Sequence, residues 1–356
     1  MSLHAGQTAE QSMIAMRLHH LGAVTSSRDP LSLDTIPVPE PDAGEILIKV
    51  HCCGVCRTEL DEIEGRTPPA ELPMTPGHQV IGRVQKVGAN VDPKIVGQRV
   101  GAAWIHSACG DCSWCTSGLE NLCPEFQACG RDAHGGYAEY MCIRAEFAHP
   151  VPPVLRDTDA APLLCAGAVG LRALKLCRLV DGETLAFTGF GASAHLVLQM
   201  ARHWFPSTRI LVFARNPVER DFALKLGAVW SGDTEETPPL TPSAIIDTTP
   251  AWKPVLAGME RLAPGGRMVI NAIRKESDDQ NLLQGLDYTR HLWKEKQLRT
   301  VANVTRADVR ETLELASRVA LTPEVSVYPL EQANQALMEL KAGKIRGAKV
   351  LTIEQR

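Results

Sequence analysis

The chain has 356 residues, of which 44% are hydrophobic and 22% are charged, and its formal net charge at pH 7 is −4. This length predicts two domains at roughly 150 residues each, with enough apolar side chains for ordinary buried cores. The small negative charge, with no long basic run and no apolar run of about 20 residues, excludes nucleic acid and membranes as expected partners.

The first part of the chain predicts a mostly β domain. The N-terminus has neither the positive charge nor the apolar stretch of a signal peptide, so we expect a cytoplasmic protein. Residues 1–14 are interpreted as a disordered or expression-derived tail. After them, short stretches of alternating apolar and polar residues are separated by prolines and glycines, as in antiparallel strands joined by loops.

Cys56 lies just after an apolar run and is a candidate metal ligand, with His78 and Cys165 as its candidate partners. One imidazole and two thiolates leave the fourth position of a tetrahedral zinc ion open, as in catalytic zinc sites. The hydroxyl of Thr58 is near enough in sequence to reach a group at that position. Taken alone, however, the stretch favours a redox pair of Cys53 and Cys56, or two buried thiols that act as small apolar side chains.

Four of the eleven cysteines are bunched in one short segment, at Cys109, Cys112, Cys115 and Cys123. Disulfides are not expected in a reducing compartment, so metal is the better explanation of the cluster. Four thiolates at this spacing can enclose one ion, and a closed set of this kind is typical of a structural zinc site. An iron–sulfur cluster and free thiols are the alternatives, but nothing else in the sequence indicates electron transfer.

A second, α/β domain is predicted after about residue 151. A glycine-rich turn follows a predicted strand and opens a helix, and its residues are the candidate cofactor ligands: Gly189, Phe190, Gly191, Ala192, Ser193 and Ala194. A lone turn of this type is weak support for dinucleotide binding. Further strands alternate with helices, which predicts a parallel, doubly wound sheet that binds ligands at the carboxyl ends of its strands; these strands are 209–213, 244–247, 267–271 and 297–303.

Together these motifs resemble those of the zinc-dependent medium-chain alcohol dehydrogenases, over roughly residues 16–353. The matching pieces are 54–58, 77–78, 109–123, 135–140, 162–167 and the turn at Gly189. The resemblance implies an α/β protein of two domains. One is a mostly β GroES-like catalytic domain, and the other is a Rossmann cofactor domain with a doubly wound parallel sheet. The implied ranges are 15–160 with 306–356 for the first and 161–305 for the second.

The resemblance also implies two zinc ions per chain. Cys56, His78 and Cys165 would hold the catalytic ion and Cys53 would be a bystander. The structural ion would be held by Cys109, Cys112, Cys115 and Cys123. Zinc lowers the pKa of a bound alcohol, so Thr58 is expected to accept or pass on the departing proton. Trp104 and Ile105 are expected to line the substrate pocket, although a buried tryptophan is more often part of a core.

The chain departs from the family pattern at several positions. Gln79 replaces the Glu that usually follows the zinc histidine, which removes one negative charge beside the metal. Asp61 replaces a common His, so the proton relay would end in a carboxylate. Ala348 replaces an arginine that many members carry near the pyrophosphate, and Lys349 or Arg346 is a candidate substitute.

The end of the second Rossmann strand bears on the choice of cofactor. Ala214 and Arg215 stand where the family commonly has an acidic residue that binds the ribose of NAD and repels a 2′-phosphate. A guanidinium group at Arg215 could instead accept that phosphate, so we predict NADP over NAD. The alternative is that Arg215 is a solvated loop residue, with Glu219 or Asp221 close enough to confuse the alignment.

The expected function is reversible hydride transfer between a primary or secondary alcohol, or its aldehyde, and NAD(P). The alternatives are a polyol or sugar dehydrogenase of the same superfamily and a non-catalytic, crystallin-like NADPH-binding protein. The complete four-cysteine segment argues against a polyol or sugar dehydrogenase. The intact set of candidate metal ligands argues against a non-catalytic protein. The resemblance implies a small-molecule substrate and a homo-oligomer, either a dimer or a tetramer.

Overall fold

The computed structural model of the protein describes residues 11–25, 29–319, 321–343 and 346–354. A tail is predicted at residues 1–14, and residues 1–10 of it lie outside the described residues. Its last three residues belong to a strand that begins at Ser12, so the prediction of a disordered tail is wrong for residues 12–14.

The described residues up to residue 150 form mainly short strands. Two short helices interrupt them, α1 (Arg57–Ile63) and α2 (Ser113–Thr116). The strands are β1 (Ser12–Arg17), β2 (Ser32–Pro37), β3 (Glu45–Val55), β4 (Val80–Val87), β5 (Arg99–Ala102), β6 (Ile105–Ser107), β7 (Gln127–Ala128), β8 (Tyr140–Arg144) and β9 (Ala148–Pro150).

Helices and strands alternate through the rest of the chain. The elements of the cofactor domain are α3 (Asp157–Pro162), α4 (Ala168–Cys177), β10 (Thr184–Thr188), α5 (Ala194–Trp204), β11 (Arg209–Phe213), α6 (Pro217–Leu226), β12 (Trp230–Gly232), β13 (Ala244–Asp247), α7 (Lys253–Arg261), β14 (Arg267–Ile270) and β15 (Gln297–Thr300). They are followed by α8 (Arg306–Val319), β16 (Val325–Pro329), α9 (Ala333–Lys341) and β17 (Ala348–Thr352).

Strand β3 is central to the sheet of the first domain. The sheet has the order β16-β17-β3-β4-β5-β9, and β8 also pairs with β3. Because β3 has neighbours on both sides and is covered on both faces, most of its residues are buried. The C-terminal strand β17 pairs antiparallel with the end of β3, with Leu351 opposite Cys53. The last strand of the chain therefore supports the strand that leads into Cys56.

The second sheet is parallel throughout, with the order β12-β11-β10-β13-β14-β15. This is the strand order of a Rossmann fold. The glycine-rich turn after β10 and the loops after β11, β13 and β14 lie at the carboxyl edge of the sheet. The predicted fold class, a mostly β GroES-like domain joined to a doubly wound parallel-sheet domain, is confirmed.

One helical run connects the two sheets and carries a candidate ligand. Helices α3 and α4 are joined by a π-helical turn, Leu163–Gly167, to make the run Asp157–Cys177. By length and composition this run could span a membrane, but 67% of its apolar window is buried within the protein. Its apolar side chains belong to the largest hydrophobic cluster, so we interpret it as a core helix. Single π turns of this kind often occur at functional sites.

Candidate metal and cofactor sites

Cys56 is the N-cap residue of helix α1, and its backbone N–H donates a hydrogen bond of 2.7 Å to Glu59 Oε2. A carboxylate three residues into a helix that satisfies the cap's N–H is one half of a capping box. The thiol of Cys56 is thereby held in a defined direction at the start of the helix, where strand β3 ends.

The structure brings Cys56, His78 and Cys165 together from three separate elements. One possible ligand atom from each lies within 4.8 Å of the others. The two sulfur atoms, Cys56 Sγ and Cys165 Sγ, are 4.0 Å apart, and zinc–sulfur bonds of 2.3 Å at tetrahedral angles would place them about 3.8 Å apart. The donor set and its spacing fit a zinc ion.

A buried carboxylate orients the candidate histidine ligand. Glu59 Oε1 lies 2.5 Å from His78 Nδ1, and both side chains are buried. Burial lowers the pKa of His78, but the charges and contacts of Glu59 and Cys56 together outweigh this effect, and the pKa lies well above its usual value. Because Nδ1 faces this carboxylate, Nε2 is the nitrogen left to bind a metal, as in the common carboxylate–histidine–metal arrangement. Glu59 is not among the residues predicted for this site, although its capping-box spacing from Cys56 is a signal in the sequence.

The two thiols influence each other's protonation. A hydrogen bond from Cys165 is the main cause that lowers the pKa of Cys56, against the effect of burial. The same contact, followed by burial, raises the pKa of Cys165. Thr58 lies beside this pair, with its Oγ1 3.7 Å from Cys56 Sγ. The predicted proton acceptor is therefore at the candidate metal site.

Asp61 makes contacts that differ from the predicted relay. Its carboxylate is fully buried, and Oδ1 accepts hydrogen bonds from Arg66 Nε at 2.5 Å and Arg274 Nε at 2.9 Å. Among the hydrogen bonds described for this side chain, both are to arginine and neither is to Thr58. Two guanidinium groups hold the carboxylate in place, so the geometry favours a structural role for Asp61 over a proton relay.

The two predicted substrate residues differ in their burial. Ile105 is part of the hydrophobic core of the first domain. The half-buried Trp104 ring lies 5.6 Å from that of Phe126. A role for either residue in substrate binding stays a prediction. Gln79 is also buried, with its side chain packed against Gly54.

The four-cysteine segment forms a compact second cluster. Cys109 Sγ lies 3.8 Å from Cys115 Sγ and 3.5 Å from Cys123 Sγ. The backbone N–H groups of Cys112 and Cys115 point at the preceding sulfur atoms, each at 3.5 Å. All four sulfur atoms lie within 4.8 Å of one another, which fits a closed tetrahedral ion.

The glycine-rich turn has the geometry that a dinucleotide site needs. Gly189 has φ +80°, and a Cβ there would lie 2.8 Å from Thr248 Oγ1. A Cβ at Gly191 would meet nothing within 4 Å, so open space lies in front of this backbone. Helix α5 begins at Ala194, and the N-terminus of a helix favours a phosphate group. The Ser193 hydroxyl, by contrast, donates a hydrogen bond to Ala166 O and accepts one from Asn271 Nδ2.

The charged residues near the turn are arranged differently from the sequence prediction. Arg215 is exposed, one residue beyond Ala214 at the end of β11. Glu219 accepts a hydrogen bond from the Phe190 backbone, and burial raises its pKa despite the opposing effect of nearby Arg215. An acidic group is therefore present at the turn, on α6 rather than at the end of the strand.

The two candidate substitutes for the missing arginine have different surroundings. Lys349 is buried, and its Nζ lies 2.6 Å from both Tyr328 Oη and Glu339 Oε2. Arg346 instead lies over the Phe222 ring at 4.9 Å, and that ring is 5.8 Å from Phe190 in the glycine-rich turn. Arg346 is the better placed of the two.

These features define a class of protein: one with two domains and a candidate thiolate–imidazole metal site beside a parallel sheet of the Rossmann type. A family model described as the alcohol dehydrogenase GroES-like domain matches residues 42–153. The chain is 40% identical over 329 residues to the probable alcohol dehydrogenase AdhA of Mycobacterium tuberculosis, covering 91% of this chain and 93% of that protein. It is 30% identical over 345 residues to an alcohol dehydrogenase of Geobacillus stearothermophilus, covering 93% and 98%.

A solved structure of similar fold is that of a cinnamyl alcohol dehydrogenase of Sorghum bicolor. It aligns with a TM-score of 0.82 at 25% identity and covers 96% of this chain and 98% of that chain. The chain belongs to the zinc-containing medium-chain alcohol dehydrogenase family and is an oxidoreductase. This confirms the family that the sequence motifs indicated.

Proposed function

We propose that the protein catalyses the reversible, NAD(P)-dependent oxidation of a primary or secondary alcohol at a zinc ion held by Cys56, His78 and Cys165. The observation that carries the proposal is the ligand group itself, in which three donor atoms lie within 4.8 Å of one another beside the Thr58 hydroxyl. Three protein ligands leave one position for substrate, whereas the four-cysteine cluster is closed. We assign a second, structural zinc ion to that cluster.

The protein's own residues have distinct parts in this reaction. When bound, zinc supplies a Lewis acid that favours the deprotonated alcohol, and the nicotinamide supplies the hydride acceptor. Thr58 accepts the proton of the alcohol hydroxyl and passes it towards solvent. Glu59 fixes the orientation of His78. The buried core around α3 and α4 keeps water from the site on one side.

The nucleotide is proposed to lie along the carboxyl edge of the parallel sheet. The backbone of the glycine-rich turn and the N-terminus of α5 would bind the pyrophosphate. Arg346 would approach it from the opposite side, over Phe222. We propose NADP as the preferred cofactor, because Ala214 removes the usual acidic group at the end of β11 and Arg215 follows it.

We also propose a cytoplasmic homo-oligomer. Six large apolar side chains with exposed fractions of 37–62% lie between residues 282 and 298. The edge strand β15 is exposed along its whole length. An exposed strand edge bordered by apolar side chains is a favourable surface for association. Light scattering of the purified protein should give a mass of two or four chains.

The function is tested by assaying primary alcohols, secondary alcohols and polyols, with the corresponding aldehydes and ketones, against both NAD and NADP. We expect turnover with simple alcohols or aldehydes that is lost after zinc is removed and regained when zinc is returned. Turnover only with polyols would favour the sugar dehydrogenase reading. Nucleotide binding without turnover of any compound would favour a non-catalytic protein.

A further inference from the structure

A short segment of the cofactor domain is joined by ion pairs to helix α1 of the first domain. The segment, residues 274–276, follows β14 and has no regular secondary structure. Arg274 Nε lies 2.9 Å from Asp61 Oδ1, and Glu276 Oε1 lies 2.5 Å from Arg57 Nη2. The two domains are therefore connected at the helix that begins at a proposed metal ligand.

The spacing of the charges matches on the two sides. Arg57 and Asp61 are four residues apart, so they lie on one face of α1 and about 6 Å apart along its axis. Arg274 and Glu276 are two residues apart, which in an extended chain puts them on one side at about 6.6 Å. The pairs run antiparallel, with cation facing anion in both. The match of charge and spacing between the helix and the segment involves all four of these residues.

The middle residue of the segment anchors it to the sheet. The Lys275 side chain is only 7% exposed, and its Nζ donates to Thr249 O at 2.7 Å, to Ala251 O at 3.0 Å and to the Asp247 carboxylate. Asp247 ends β13 and accepts a further hydrogen bond of 2.6 Å from Thr188 at the end of β10. The segment is thus fixed to the edge where we propose that the nucleotide binds.

We propose that Arg274 and Glu276 are positioning residues that hold helix α1, and with it Thr58, in register with the nucleotide. Thr58 lies between the two charged residues of the helix, so a rotation or shift of α1 would displace its hydroxyl from the reacting atoms. This inference rests on the proposed alcohol oxidation. Displacements of about 1 Å in an active site are enough to lower turnover by about 100-fold.

The exposed pair is the better one to test, because its loss should cost little stability. Side-chain exposures are 44% for Arg57 and 34% for Glu276, and such pairs contribute at most about 1 kcal/mol. Glu276→Arg and Arg57→Glu each bring like charges together, and the double variant restores attraction with the charges exchanged. We expect each single variant to lower kcat about 10-fold with KM for the nucleotide changed by less than about 3-fold. The double variant should recover kcat to within about 3-fold of wild type.

A second readout does not depend on turnover. Hydrogen–deuterium exchange of the amides of residues 57–63, without nucleotide, should be faster in each single variant and return to the wild-type rate in the double variant. If wild type oxidises no alcohol, the proposed function fails, but this measurement still tests the contact. Lys86→Glu is the matched control, because Lys86 forms an exposed ion pair with Glu40 inside the first domain. It should alter neither kcat nor the exchange.

The buried pair provides an independent variant. In Arg274→Gln, Asp61 keeps its partner Arg66, so the protein should fold. We expect a similar loss of kcat and faster exchange in α1, both largely restored in Arg274→Lys. Three results would overturn the proposal. The first is that the single variants match wild type in both readouts, and the second is that the double variant is as impaired as the single variants. The third is an effect of Arg57→Glu that is confined to KM for the nucleotide, since Arg57 would then act on the nucleotide directly.

Discussion

Glu59 shows how one side chain can serve both the local fold and the proposed chemistry. One carboxylate oxygen caps helix α1 at Cys56, and the other orients His78. A single acidic residue thus fixes two of the three proposed ligands. Among the hydrogen bonds of the described residues, Gln79 beside the histidine has no such contact, and its side chain packs against Gly54. The negative charge near the site is supplied from the helix instead.

Replacing Glu59 should therefore weaken metal binding. In Glu59→Gln we expect the affinity for zinc at this site to fall about 10- to 100-fold, because the amide is a weaker partner for the imidazole N–H. Competition with a chromogenic chelator measures the affinity. Glu62→Gln is the control, since Glu62 lies on the same helix, is equally buried, and has no hydrogen bond to His78 among the described contacts. Equal losses in both variants would contradict a specific role for Glu59.

Arg215 is the residue on which the cofactor prediction depends. Its guanidinium can bind a 2′-phosphate, and no acidic group ends strand β11 to repel it. We expect wild type to prefer NADP and Arg215→Ala to raise KM for NADP about 10-fold with little change for NAD. Steady-state kinetics with both cofactors measures this. A clear preference of wild type for NAD that Arg215→Ala leaves unchanged would contradict the prediction, and Glu219 at the turn would then be the residue to examine.

The predictability of these residues follows from how far their partners lie in the chain. The four-cysteine cluster could be predicted because its spacing is local. The cofactor turn was recognisable because strand, glycines and helix are contiguous. The partners of Asp61, by contrast, include Arg274, which is 213 positions away. No local sequence pattern indicates such a contact, so a proton relay was predicted for Asp61, where the structure has ion pairs.

At the scale of elements, helix α8 returns the chain to the first domain and is fixed at its start by a reciprocal cap. Asp308 accepts hydrogen bonds from the Thr305 backbone and hydroxyl, and Thr305 Oγ1 accepts from the Asp308 N–H. Arg172 and Lys175 of α4 also bind this carboxylate. Asp308 therefore both caps the start of α8 and joins this helix to the core helix α4.

This cap predicts a pH-dependent contribution to stability. Burial raises the pKa of Asp308, but the Thr305 and Arg172 contacts outweigh it and the net shift is downward. A lowered folded pKa means that the stabilisation is present above the unfolded value of about 3.9 and is lost as the pH falls through the folded value. Asp308→Asn should lower the free energy of unfolding by about 1 kcal/mol at pH 7, and the difference should vanish in strong acid.

Denaturant unfolding at several pH values measures the effect. Glu314→Gln on the same helix is the control, since that residue is exposed and its pair with Arg318 spans 3.8 Å. It should change stability by less than about 0.5 kcal/mol at any pH. A pH-independent loss in Asp308→Asn would mean that packing rather than charge explains it.

At the scale of the whole molecule, the two proposed metal sites belong to different parts of the fold. The proposed catalytic group joins loops of the first domain to the connecting helical run that carries Cys165. The four-cysteine cluster lies in a loop that is attached to the interdomain connection, because Asn121 Nδ2 donates to Ala302 O at 2.6 Å and Glu120 accepts from the Arg306 N–H. Loss of the second site should therefore affect stability before chemistry.

The four-cysteine cluster gives the corresponding prediction. Cys112→Ser should remove one zinc ion and lower the midpoint of thermal unfolding, because a closed metal site contributes folding free energy. Metal analysis and calorimetry of the purified variant measure both effects. Unchanged stability with one zinc ion missing would show that the loop and its contacts to residues 302–306 hold without metal.

The most direct test of the central claim is the zinc content and alcohol-dependent nucleotide reduction of wild type and Cys56→Ser, measured on the same preparations. We expect two zinc ions per chain and turnover in wild type. Cys56→Ser should retain one zinc ion and the native fold but lose turnover by at least about 1000-fold, since the ion that favours the deprotonated alcohol is gone. A wild-type protein without zinc, or full turnover after prolonged chelation or in Cys56→Ser, would contradict the account.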